Sequence, residues 1–74
     1  MTAPAALRNR QRKAWAMARV LATFPNVGDP DLASVDGATR EQVARAAGHR
    51  SGRGVSDWTW RLSLAHARRL AGVR

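Results

Sequence analysis

Between Thr39 and Leu70 the helix punctuation is so closely spaced that the stretch reads as two helices and a turn. Thr39 is placed as an N-cap, because its hydroxyl can accept a hydrogen bond from an orphan backbone N–H of a first turn. Gln42, three residues on, can reach back to complete a capping box. Val43, Ala46 and Ala47 supply the buried side of this helix, and Gly48 suits the left-handed conformation that ends one. Ser56 then caps a second helix, with Asp57 favourably placed against its positive end.

Charge narrows the range of partners. The chain of 74 residues carries thirteen basic side chains against five acidic ones, a net charge of +8, and twelve of the thirteen are arginine. The planar fork of arginine matches phosphate oxygens and guanine edges better than the point charge of lysine does. Codon bias can explain arginine over lysine, but it does not explain so few acids. The charge is also unevenly spread: +5 up to Phe24, −3 from Pro25 to Ala38, and +6 from Thr39 onward. Such a balance points to nucleic acid.

The pattern Gln42-Val43-Ala44-Arg45-Ala46-Ala47-Gly48, followed by Val55-Ser56-Asp57-Trp58-Thr59-Trp60, resembles the helix-turn-helix of DNA-binding regulators. The resemblance covers about the C-terminal half of the chain and implies a second helix that enters a DNA groove. One departure is clear. His49-Arg50-Ser51-Gly52-Arg53-Gly54 stands between the two parts, where the compact motif has nothing. A wing would need a β-hairpin after Ala71, where Gly72-Val73-Arg74 follow, so none is expected.

Size sets the stability problem. A domain this small buries only about 60% of its unfolded surface. Without cysteine there is neither a disulfide nor a thiolate metal site to staple it. Helix packing, dimerisation or a bound partner must supply the difference. No apolar run approaches the ~20 residues that span a bilayer. Arg8, Arg10, Arg12 and Lys13 occupy the place of a signal-peptide core, so the chain is read as cytoplasmic.

Residues 1–5 are expected to fray, with Pro4 suited to a first turn. A helix is expected from Ala5 to Thr23, rich in strong helix formers. Leu7, Ala14, Ala18 and Leu21, with Met17 beside them, form its apolar stripe. Arg8, Arg12, Trp15 and Arg19 fall on an adjacent face. That face is either a basic strip laid along phosphates or a solvated edge on which Trp15 closes the core, and the second reading is favoured. Phe24-Pro25 ends the helix. Asp29-Pro30-Asp31 opens a short one of about two turns, anchored by Leu32 and Val35 with Phe24 and Val27 beneath. The acids Asp29, Asp31 and Asp36 lack the further ligands of a calcium loop, so no metal site is expected. The basic, glycine-rich loop His49 to Gly54 is either a phosphate-contacting segment or a plain surface connection.

The last helix, Ser56 to Ala71, has two apolar faces. Trp60, Leu64, Ala67 and Ala71 are assigned to the core. Trp58, Arg61, Leu62 and Ala65 then point outward, where helix-turn-helix proteins read base edges, and Arg61 is the candidate for a bidentate contact to guanine. A competing use of Trp58 and Leu62 is a seam with another protein or a second copy. Catalysis has little support, since acids are few and neither His49 nor His66 stands in a catalytic spacing.

The expectation is therefore a single all-α domain over residues 1–74. It is a small three- to four-helix domain with a helix-turn-helix core at 39–71 and no wing. Its partner is double-stranded DNA, bound as a homodimer without cofactor, metal or membrane. The base-reading set is Ser56, Trp58, Arg61, Leu62 and Ala65; the phosphate set is Arg8, Arg12, Arg40, Arg50, Arg53, Arg68 and Arg69. The role is a small transcriptional regulator or a recombination or architectural factor of a phage or mobile element. The rivals are a protein-binding module acting through Trp58 and Leu62, and RNA binding, against which the lack of β-sheet aromatics speaks.

Overall fold

The computed structural model describes residues 4–49 and 54–73. Among them are three α-helices, α1 (Ala5–Leu21), α2 (Gly37–Ala46) and α3 (Asp57–Leu70), with a 3-10 helix at Pro30–Ser34 and no strand. None of the helices is long and apolar enough to cross a membrane.

Pro4 sits at the N-cap of α1 rather than inside its first turn. The helix ends at Leu21, two residues short of the expected Thr23. Thr23 instead turns its hydroxyl back to donate to the Val20 carbonyl at 2.7 Å, and Pro25 keeps Phe24 out of helical geometry. The short second helix begins as its sequence dictates: Asp29 accepts from the Asp31 N–H at 2.9 Å and Pro30 takes the first position. It closes as a 3-10 helix of five residues rather than two α turns.

The start of α2 corrects the sequence reading. Asp36, not Thr39, is the N-cap, and its carboxylate accepts from the Thr39 N–H at 2.8 Å. A carboxylate is the stronger acceptor at a helix N-terminus. The two hydrogen bonds with Thr39 hold the Asp36 carboxyl below its ordinary range. The helix is also turned from the expected face: Val43 and Ala44 are buried, Ala47 is half-buried and Ala46 is exposed. Gly48, at φ +83°, ends the helix as expected. The His49 N–H reaches the Ala44 carbonyl and the Gly48 N–H the Arg45 carbonyl, a complete Schellman motif.

Ser56 caps α3, accepting from the Thr59 N–H at 3.2 Å, with Asp57 in the first turn. The core gathers Met17, Ala18 and Leu21 of α1, Val27 of the loop that follows it, Val43 and Ala44 of α2, and Trp60, Leu64 and Ala67 of α3. Trp60 is 1% exposed, and its indole N–H donates to the Leu32 carbonyl at 2.7 Å, tying α3 to the 3-10 helix. Leu32 and Val35 pack half-buried against this core. Leu7, Phe24 and Ala71, expected in the interior, are exposed too; Leu7 and Ala71 lie near helix ends and Phe24 in the loop after α1. The largest interface is that of α1 with α3; α2 packs on α1.

Candidate nucleic-acid interface

Helix α3 turns Trp60, Leu64 and Ala67 inward, so the opposite flank faces out. Trp58, Arg61, Ala65 and Arg69 are exposed, Leu62 is half-buried at the margin, and Ser56 is exposed at the cap. Trp58 is 46% exposed, with the Arg10 guanidinium of α1 at 6.0 Å from its ring centroid, the outer limit of a cation–π contact. The flank is thus bordered by α1 but not covered by it.

Arg61 is exposed and its Nε donates to Asp57 Oδ2 at 2.7 Å. An exposed i,i+4 pair of this kind is worth only a few tenths of a kcal/mol; its effect is to hold the guanidinium over the first turn of α3. Asp57 also faces Arg40 Nη1 at 3.4 Å, so one carboxylate links α2 to the start of α3.

Two of the arginines expected on phosphates are turned to structural use. The Arg40 side chain is 15% exposed. Its Nε donates to the Val35 carbonyl and its Nη2 to the Ala33 carbonyl, and it lies 5.8 Å from the Trp60 ring centroid. Arg68 donates from Nε to the Val27 carbonyl and from Nη2 to the Asp29 carbonyl, each at 3.0 Å. Both guanidinium groups donate to carbonyls in or beside the 3-10 helix and its flanking loops, where regular helical pairing is incomplete. Arg8, Arg12 and Arg69 remain exposed. Arg50 and Arg53 lie outside the described residues.

No known family model, characterised protein or solved structure matches the chain.

A second basic face lies on α1. Arg8, Gln11, Arg12, Trp15, Ala16 and Arg19 line an open groove of about 550 Å³. Trp15 does not join the core, as the favoured sequence reading had it; it is 43% exposed. At the edge of the helix pair it stacks on the His66 imidazole, parallel within 10° at a centroid distance of 3.8 Å. Burial, and then the neighbouring positive charge of Arg69, push the His66 pKa down, which favours the neutral ring. Because His66 stands one turn from both Leu62 and Arg69 on α3, the groove on α1 and the flank of α3 meet at this stacked pair.

Tertiary pairings such as Trp15 with His66 and Arg10 with Trp58 carry no sequence signal. The Asp57–Arg61 pair did carry one, the i,i+4 spacing of opposite charges on a helix.

Proposed function

We propose that the chain binds double-stranded DNA sequence-specifically, with α2 and α3 as the two helices of a helix-turn-helix and the outer flank of α3 against a groove. The observation that carries this reading is the division of α3: its Trp60 side is buried while Trp58, Arg61, Ala65 and Arg69 stand exposed on one flank. Arg61 is the proposed reader of guanine, Trp58 and Ala65 its apolar neighbours, and Arg69, Arg8 and Arg12 the phosphate contacts. The role is non-enzymatic: a small regulator, or a recombination or architectural factor of the phage or mobile-element kind, acting as a homodimer on repeated sites.

Selection of bound fragments from random duplex DNA, followed by a salt titration of the recovered site, tests this. The expected result is a consensus sequence whose affinity falls log-linearly with salt, by about 0.9 in slope per phosphate neutralised. Recovery of no consensus, or an affinity indifferent to salt, would overturn it.

One observation favours a second reading. Trp58, nearly half exposed beside Leu62, is a large apolar surface for so small a protein, and such a surface commonly has a protein partner. On that reading the charge steers association. A partner retained at high salt, with no measurable duplex affinity, would select it; preference for structured RNA over duplex in direct competition would select RNA.

A further inference from the structure

The groove on α1 is a different kind of surface from the flank of α3. Its floor is one face of a flat ring. Trp15 has one face covered by the parallel His66 imidazole at 3.8 Å, so its 43% exposure lies on the other face and the edges. Around that ring stand Arg12 about one turn before, Arg19 about one turn after, and Arg8 one turn further, over an axial distance of about 16 Å. No acidic residue occurs between Ala5 and Leu21 to neutralise them. Gln11 adds an amide that can both donate and accept on the same wall.

We infer that this groove binds an unpaired stretch of nucleic acid, with one base stacked on the open face of Trp15 and the flanking phosphates held by Arg8, Arg12 and Arg19. The alternation of a stacking ring with cations along a groove is what single-strand binding requires. Duplex DNA fits the groove less well, since its bases are stacked on one another and present no face to Trp15. An acidic peptide could meet the arginines but would leave the stacked ring without a matching plane. This inference does not require α3 to enter a groove; Arg8 and Arg12 serve both readings, and Trp15, which the duplex reading does not use, tells them apart. Base stacking and phosphate charge are common to DNA and RNA, and the test uses both.

The full chain is titrated with short labelled oligothymidylate and oligouridylate, read by anisotropy and by quenching of tryptophan emission, with a duplex run in parallel. Both single strands are expected to bind, or one of them where the sugar matters. Trp15→Leu should weaken that binding roughly 5- to 150-fold, the range for loss of one stacked base. Trp15→Phe should restore most of it. Arg12→Ala, on an exposed helical position, should reduce the salt slope by about 0.7. The proposal is overturned by oligonucleotide affinity unchanged by Trp15→Leu in a folded protein, by an unchanged salt slope in Arg12→Ala, or by polyglutamate displacing the oligonucleotide as well as the unlabelled strand does. Loss of single-strand binding with duplex binding intact in Trp15→Leu separates this surface from that of α3. Duplex binding without any single-strand binding by the wild-type chain defeats this inference and leaves the other standing.

Discussion

Two neighbouring arginines, Arg68 and Arg69, show how far a residue's role depends on where its side chain lands. Arg68 reaches back 41 residues to the Val27 carbonyl, whereas Arg69 is exposed on the outer flank of α3. Arg68→Ala should strip the part-buried Val27 carbonyl of its side-chain donor and lower stability by about 1–3 kcal/mol, while leaving the salt dependence of DNA binding as it was. Arg69→Ala should do the reverse, keeping the denaturation midpoint and lowering the salt slope by about 0.9. Urea unfolding and salt titration of the two variants, side by side, check the contrast. Arg61→Ala should flatten the preference among duplex sequences without loss of fold; a consensus unchanged by this substitution would remove Arg61 as the reader. Trp60→Ala is expected to cost about 3–5 kcal/mol, the scale of a buried large aromatic, and a variant as stable as the wild type would mean that α3 is turned the other way.

At the scale of elements, every helix start after that of α1 uses one device. Asp29, Asp36 and Ser56 each accept a backbone N–H at the head of the helix that follows. The Asp36 carboxyl is held below its ordinary range by its bonds with Thr39. Its folded pKa is therefore lower than its unfolded one. The stability it contributes is present above the unfolded value near 3.9 and is lost as pH falls through the lower, folded value. Helicity followed by circular dichroism should decline over that acid window. Asp36→Asn, which keeps a capping oxygen without the charge, should weaken the decline.

These starts and stops were largely visible in the residues themselves. Asp29-Pro30-Asp31, Ser56 and Gly48 act through neighbours within a few positions, so local spacing is enough to read them. Thr39 misled because it is a competent cap in its own right, and only the presence of a carboxylate three residues earlier displaces it. Arg40 and Arg68 could not be separated from surface charges, because their acceptors are carbonyls brought near by tertiary packing. The burial of Ala44 in place of Ala46 has the same origin: two alanines differ in nothing that a sequence pattern can weigh.

At the scale of the whole molecule, α1 is common to everything described. It carries the core stripe on one side and the arginine-lined groove on another, and it borders the flank of α3 through Arg10 and Trp15. The longest extent of the molecule is 35 Å, about one helical turn of duplex. Two copies on half-sites a turn apart would then lie in contact. Selected DNA should accordingly return repeats spaced by one turn, and sedimentation on such a site should give two chains per duplex; a single unrepeated site would favour a monomer. The dominance of the α1–α3 interface bears also on synthesis. A nascent chain that has made only its first two α-helices lacks Trp60, Leu64 and Ala67, so Met17 and Leu21 have no closing wall and stay wet. Acquisition of the native state therefore waits for the last helix to leave the ribosome, and until then this chain depends on its charge to keep it from sticking to its neighbours.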